Sequence, residues 1–585
     1  MSSAPTQSSR AEHSTITAAR PALAPRGPGW RQWLVSPKRE RTCLILLAVA
    51  VVAAIAVGLN ETHGATFSID EFLYFVVDRG FDFKTLMSPH NGNFTAVIRL
   101  LYAIVFKAVG PDYLVFRIWL FVEVAITGIL FYVLARRRVG PVAALALTLP
   151  LLFLGSSTDV AISTIGVQHL LCVIACLSAL LALERKRRSG DVLACLLLTI
   201  AVATFSIAFA FIGGVAVSVL LREDRWRRAW IFAIPIGVYL LWLVAAPKYS
   251  GPGYLGNTTV SASNIFLIPS FIADAAAAVV AGVTGLSYDF SSSGPSSVLS
   301  NYAWGVPLAA AAVVALVWRV RRRPVDSWFW SYLAIPLVFW VSIVMTIEPN
   351  RYPNSDRYIY GGAVAVLLLA AEALRGVRLS PTALAALIGA SAVALLGNIA
   401  QLRVDGSIAR ASGAQVRAVL AGIDLARDHV ASDFLPPNAP YPALMILWAG
   451  GVDPYLHAVE RHGSFAFTVP GLRQQPASVR ELTDSTLVAA LRIRLRPLSR
   501  VNAAASCRRL PRRSTSLRLR APGAILQAAS AGSVMLGRFA RAPTVDVGAV
   551  RAGRFYELAL PRDRSAARWT VSIPGGVRSV CAVGG

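Results

Sequence analysis

Asp70 and Glu71 stand side by side a few residues beyond the first long apolar run, and Arg351 and Arg357 stand in a loop that opens a late one. A carboxylate at such a place can take the proton of a hydroxyl as a new bond forms. Arginine offers a planar fork to phosphate and steadies charge that develops on it. Tyr358 follows Arg357 directly, and His90 opens an amphipathic segment, 93–109, that also carries Arg99 and Lys107. These are the residue types of a transfer in which a hydroxyl attacks and a phosphate leaves.

Each has a plainer reading beside this one. Loop carboxylates are usually solvated, a histidine before a helix can cap it, and an arginine at the edge of a span can meet lipid headgroups. Glu71, one residue on from Asp70, points elsewhere on a helix or strand. Asp78 and Asp82 read as solvated or paired with Arg79 and Lys84, and Arg117 as an interfacial anchor. His169 lies within an apolar run, where an ionisable group is a functional candidate by default, although a neutral imidazole bonded to a neighbouring helix accounts for it more simply. Trp448 and Tyr455 could stack on a sugar, with core packing the favoured alternative.

The elements that must hold these groups are membrane spans. Of 585 residues 55% are hydrophobic and only 15% charged, with a mean hydropathy of +0.57, against roughly 25% charge in a soluble domain. The apolar residues come in runs of about 17–25, the length that crosses a hydrocarbon core. A net charge of +26 would suit nucleic acid, but no basic stripe alternates with aromatics, so nucleic acid is excluded as a partner. Arginines cluster beside apolar runs, and the excess reads as the mark of cytoplasmic edges.

Basic clusters at Arg136–Arg138, 185–188, 222–228, 319–323 and Arg375 with Arg378 alternate with acidic or neutral loops at 60–92, 156–164, 247–302 and 348–358. Basic loops inside and acidic loops outside put spans near 43–59, 113–135, 141–155, 165–183, 229–246, 303–320, 327–347, 359–375 and 382–399. The run 191–221 has basic flanks on both sides and splits near Thr204–Ser206 into two short spans, for about eleven in all. The segment 262–285 begins and ends outside, and so lies in the interface or re-enters. Residues 1–42 read as a disordered cytoplasmic tail, 43–399 as the transmembrane domain with an outer loop at 60–112, and 400–585 as an extracytoplasmic domain. Helical spacing at 407–430 gives way to short alternating runs such as SLRLR and WTVSI, which predict a β-sandwich within 505–585. Cys507 and Cys581 are the two cysteines outside apolar runs, and on the outer side, where the compartment can oxidise, they can pair. No CxxC or His-rich spacing indicates a metal site.

The order of pieces resembles the GT-C superfamily of membrane glycosyltransferases, which includes protein O-mannosyltransferases and actinobacterial arabinofuranosyltransferases. There a first span leads to an outer Asp-Glu pair, then to a His-Pro-Pro-Leu-like segment opening a membrane-surface helix, then to a span that starts near an arginine and closes on an Arg-Arg pair. Here the matching pieces are Asp70-Glu71, His90 in HNGNF, Val109-Gly110, Arg117 and Arg136–Arg138; HNGNF departs from the family's pattern. An Arg-Tyr pair opening a late span, here Arg357-Tyr358, is also similar. The resemblance spans roughly residues 40–400.

It implies a GT-C-like polytopic α-helical membrane protein of a bacterial plasma membrane, multi-pass, with a cytoplasmic N-terminus. It implies an inverting transfer of a sugar from a polyprenyl-phosphate donor to a cell-envelope glycan or glycolipid, in a setting of membrane lipid. Asp70 and Glu71 would be catalytic, with Arg351, Arg357, Tyr358 and His90 toward the donor phosphate. The C-terminal domain would be a carbohydrate-binding module that orients the acceptor. Some relatives use a divalent cation, Mg or Mn, but no ligand cluster in the sequence demands one. The rival is a transporter or flippase for lipid-linked glycans, or a scaffold. A transporter often carries an internal repeat and charges at mid-membrane, whereas here the charges gather at the outer face.

Overall fold

The computed structural model describes residues 38–582 apart from 68, 78–80, 250–259, 288–300, 347–350, 378, 438, 500–506 and 511–514. The expected tail, 1–42, thus falls almost wholly outside the described residues, as do Asp78 and Arg79.

The chain is an integral multi-pass membrane protein. Among the described residues seven helices are long and apolar enough to cross a bilayer: Arg39–Glu61, Tyr113–Val139, Gly166–Leu183, Trp230–Lys248, Ala262–Thr284, Ser327–Met345 and Pro381–Leu425. Shorter apolar helices, Pro141–Leu152 and Ala208–Leu220, pack among them, as do Arg188–Val202, Gly305–Arg322 and Asp356–Ala373. The apolar stretch 191–221 is broken between Val202 and Ala208.

The two ends of the bundle differ in chemistry. At one end Arg138 binds Glu184 at 2.6 Å, Glu372 at 2.5 Å and the Tyr332 hydroxyl at 2.7 Å. Arg375 pairs with Asp326 at 3.2 Å, and Arg319 donates to the Ala373 carbonyl at 2.9 Å. At the other end Ser157 donates to the Asp356 carbonyl at 2.9 Å and Thr158 to the Asp405 carboxylate at 2.6 Å. The first is an arginine end and the second an aspartate end.

Length and composition would let Ala262–Thr284 cross the bundle, but its hydrogen bonds set both its ends at the aspartate end. Ser261 N and Asn264 Nδ2 bond Met345 and Val344 at the close of one helix (3.2 and 3.0 Å), while the Gly282 carbonyl accepts from Asn398 at 2.9 Å beside Ser156 and Ile359.

The last long helix begins on a Ser380 cap that accepts from Ala383 N at 3.1 Å, followed by Pro381. It runs unbroken for 45 residues to Leu425, about 67 Å at 1.5 Å per residue, against a hydrocarbon core of about 30 Å. The expected domain boundary at 399/400 lies inside it. Gly406 and Gly413 let it lie directly on the backbone of the first helix's exit, since a Cβ there would stand 2.3 Å from the Glu61 carbonyl and 2.8 Å from that of Gly64.

Beyond it, helices Tyr441–Gly450, Val452–His462, Val469–Arg473 and Ala477–Ala490 lead into nine strands among the described residues. These are β1 (Leu495–Leu498), β2 (Cys507–Arg509), β3 (Ser516–Leu519), β4 (Gly523–Ala528), β5 (Gly532–Gly537), β6 (Val545–Val550), β7 (Phe555–Ala559), β8 (Trp569–Ser572) and β9 (Val577–Cys581). They form two antiparallel sheets, β1-β7-β4-β9-β2 and β3-β8-β5-β6. Leu526, Leu536, Leu558, Trp569 and Val571 fill a core between them that is distinct from the helical one. Cys507 faces Cys581 in register and is disulfide-bonded to it.

Candidate functional site

Asp70 and Glu71 lie in the first turn of a helix, Ile69–Val77, at the aspartate end. Successive helical residues point about 100° apart, so the two carboxylates meet different neighbours. Glu71 is fully buried and accepts from Ser163 Oγ at 2.8 Å and Thr164 Oγ1 at 2.6 Å. It braces the loop before Gly166–Leu183. Asp70 keeps 27% of its side chain exposed, accepts from Asn91 Nδ2 at 3.1 Å, and lies 3.6 Å from His90 Nε2.

A tight turn delivers His90 and Asn91 to this place. His90 and Asn93 exchange both backbone hydrogen bonds, at 3.1 and 2.9 Å, around Asn91 at φ 46° and Gly92 at φ 74°. Two central residues of positive φ define the turn that Asn-Gly favours above other pairs. The His90 ring then lies against Tyr74, with centroids 4.6 Å apart, and Tyr74 is anchored by its hydroxyl to Gln168 at 2.9 Å. Trp242 holds the same segment from below, stacking on Phe94 at 4.8 Å and donating to the Met87 carbonyl at 2.8 Å.

The surface helix that follows, Ala96–Val109, is three residues shorter at its start than the expected 93–109. It buries Arg99 and Tyr102 and exposes Leu100, Ile104 and Val109, an apolar outer side suited to lipid. Arg117, read as an interfacial anchor, is instead buried and bonds Thr62 Oγ1 at 2.8 Å and the Leu59 carbonyl, tying two helices together.

Arg357 lies in the first turn of Asp356–Ala373. Its Nε stands 3.6 Å from Asp159 Oδ2, with 41% of the arginine side chain still exposed. Asp159 belongs to the short helix Thr158–Ala161, which three hydrogen bonds strap down: Thr158 to Asp405, Ser157 to the Asp356 carbonyl, and Asp159 N to Asp356 Oδ2 at 3.1 Å. Asp70 and Arg357 are close enough to feel each other's charge. Burial pushes the Asp70 carboxyl up, but His90, Asn91 and the charge of Arg357 outweigh it and hold Asp70 below the usual value. Asp159 goes the other way: burial raises it, and Arg357 only partly offsets that against the nearby charge of Asp70.

Asp70, His90 and Arg357 thus converge on one place. Arg351 donates to Thr346 Oγ1 at 2.9 Å, at the close of Ser327–Met345, and Tyr358 sets its ring edge-on to Phe339 at 6.3 Å. Residues 347–350 of that loop lie outside the described residues. His169 bonds the Ile165 carbonyl at 3.3 Å and packs on Phe205. Tyr455 is buried against Phe72 and Phe465, whereas Trp448 is 71% exposed and is no core residue. Asn91 and Asp159 were not singled out in the sequence. The Asn-Gly pair is a legible turn signal, while Asp159 has no local mark. Among the described residues no group of three or more His, Cys, Asp or Glu is gathered to hold a metal.

No protein-family model matches the chain, and no curated protein matches it. A solved structure does. The chain is similar to ArnT from Cupriavidus metallidurans, a structure bound to undecaprenyl phosphate, at 13% identity and a TM-score of 0.44, over 71% of this chain and 88% of that one.

Proposed function

We propose that the chain is an inverting glycosyltransferase that moves a sugar from a polyprenyl phosphate to a cell-envelope glycan or lipid on the outer face of a bacterial plasma membrane. The arginine end faces the cytoplasm with the N-terminus, following the positive-inside rule, and about eleven crossings leave the C-terminal domain outside. No nucleotide sugar is supplied there, so the donor is lipid-linked.

The observation that carries the reading is a half-open carboxylate, Asp70, within the electrostatic reach of a half-open guanidinium, Arg357, beside a lipid-facing surface helix. Asp70 is held as a carboxylate at neutral pH by Asn91, His90 and Arg357. The acceptor oxygen attacks the anomeric carbon, its proton passes to Asp70, and the bond to the phosphate oxygen breaks on the far side. A base of low pKa suffices because the transition state is oxocarbenium-like and the hydroxyl becomes acidic only as the new bond forms. Arg357, oriented by Asp159, meets the departing phosphate with its exposed edge. Arg351 and Tyr358, which flank Arg357 along the chain, are the further residues that would meet the donor, and Glu71 supports the helix that presents Asp70.

The test is incubation of purified protein with a panel of polyprenyl-phosphate sugars, scored for release of polyprenyl phosphate. Turnover of one donor is expected. Transfer of an intact lipid-linked glycan between leaflets with no release would make the protein a flippase, and neither activity would leave a scaffold.

A further inference from the structure

The basic excess expected at the cytoplasmic edges of the spans lies mostly elsewhere. Residues 492–585 hold 18 arginines against three acids, Asp546, Glu557 and Asp563, which is more than half of the chain's +26. The strand order then sorts these charges. β2 and β3 are edge strands of the two sheets; the opposite edges, β1 and β6, meet where Gly548 lies against Leu495, so β2 and β3 border the other side of the sandwich. Arg508 and Arg509 lie on β2, Arg578 on its neighbour β9, Arg518 on β3, Arg520 just past it and Arg568 just before β8.

All six are exposed, and among the described residues no ion pair is made by any of them. Leu519 faces Trp569 in the β3–β8 register, which sets Arg520 across from Arg568. The acids are elsewhere. Glu557 is on β7 and Asp546 on β6, away from this side, and Asp563 is buried against Arg538 at 2.5 Å. The Cys507–Cys581 disulfide pins β2 to β9 and so holds Arg508, Arg509 and Arg578 at a set spacing. Like charges facing each other across strands weaken the pair. A charge or two protects an edge strand from pairing with another chain, which leaves this segregated set unexplained by folding or solubility.

The place of the sandwich narrows the partner. It docks at the far end of the long helix, where Arg564 N bonds the Leu425 carbonyl at 3.1 Å. Asp405, which holds Thr158 at the level of the site, is twenty residues back along that helix, about 30 Å at 1.5 Å per residue. That attachment point lies farther from the level of the site than the about 8 Å over which charges act in physiological salt, which favours a glycan over lipid headgroups as the occupant. We infer that the β2–β3 side binds an anionic glycan, one bearing phosphate or carboxylate groups along its length, to which arginine forks are matched. Resting on the transferase reading, that glycan is the acceptor, held above the site while its end reaches Asp70.

The test is binding of full-length purified protein to three polymers of equal length: a glycerol-phosphate polymer, a polygalacturonate and a neutral dextran. Either or both anionic polymers should bind and dextran should not, with affinity falling on the order of tenfold between 50 and 200 mM salt, as expected when several arginines displace counterions. A Glu-free quadruple change, Arg508→Gln, Arg509→Gln, Arg518→Gln and Arg520→Gln, should abolish this binding, whereas Arg551→Gln with Arg554→Gln should not. Monodisperse elution and an intact disulfide in the quadruple variant establish that it is folded. Which anionic polymer binds tells phosphate from carboxylate. Equal binding of dextran, unchanged binding by the quadruple variant, or cluster-dependent capture of anionic vesicles with no polymer binding would each overturn the inference. None of these readouts needs turnover, so loss of the transferase reading would show separately, as failure to release polyprenyl phosphate.

Discussion

Asn91 donates a hydrogen bond to Asp70 at 3.1 Å from a backbone held at φ 46°. The left-handed turn therefore does chemical as well as geometric work, because it supplies one of the contacts that keep Asp70 ionised. Asn91→Gly preserves the turn, glycine adopting positive φ freely, and removes only the donor. Asp70 sits below its ordinary value, and losing a contact that lowers it moves it up. The base works only when deprotonated, so the acid limb of kcat/KM should move to higher pH, with less than about a tenfold change in rate at neutral pH. An acid limb that stays in place would separate Asn91 from the base.

Asp70→Asn keeps the shape and removes the proton acceptor. It should express and bind donor normally, and lose about 100- to 10,000-fold in transfer. Retention of more than about a tenth of the wild-type rate would remove Asp70 as the base.

Arg357→Ala should weaken donor binding as well as turnover, because it takes away the phosphate fork. Arg357→Lys keeps the charge without the fork and should recover only part of both. Titration with polyprenyl phosphate alone reads this directly, and equal affinity in wild type and Arg357→Ala would place the phosphate elsewhere.

The orientation of the chain is open to a labelling test. A cysteine replacing Arg187 at the arginine end should be shielded from an impermeant thiol reagent in intact cells, and one replacing Arg480 should react. The reverse pattern would put Asp70 in the cytoplasm and remove the case for a lipid-linked donor.

Cys43, Cys172, Cys176 and Cys195 are free and buried, and Cys507 is bonded to Cys581. Alkylation under denaturing conditions should therefore modify four of the six cysteines before reduction and all of them after it. Closing the 74-residue separation contributes about 4 kcal/mol in the chain-entropy model, so the paired Cys507→Ser and Cys581→Ser variant should unfold at distinctly lower denaturant. Six modified thiols without reduction would rule the bond out.

What the sequence determined by itself is the membrane class, the alternation of basic and acidic loops, the break near Thr204–Ser206 and a β-rich end. These follow from run length, charge and alternation, which neighbouring residues carry between them. The pairing of Cys507 with Cys581 was legible too, because elimination and compartment left few other partners. The site was legible only in part. Asp70 and His90 carry a recognisable local order, but Asp159 is a single acid in a Ser/Thr loop, and only packing brings it 3.6 Å from Arg357, nearly two hundred residues away. In the same way Asp70 and Glu71 are equivalent as letters. The helix turned one toward Asn91 and His90 and the other into Ser163 and Thr164. Tertiary structure also decided that Ala262–Thr284 begins and ends at the aspartate end, since length and hydropathy describe a helix but not the partners of its termini. It decided too that six arginines scattered over seventy residues stand on one side of a sandwich, because strand order is set by pairing across the sheet, which no local stretch of sequence records.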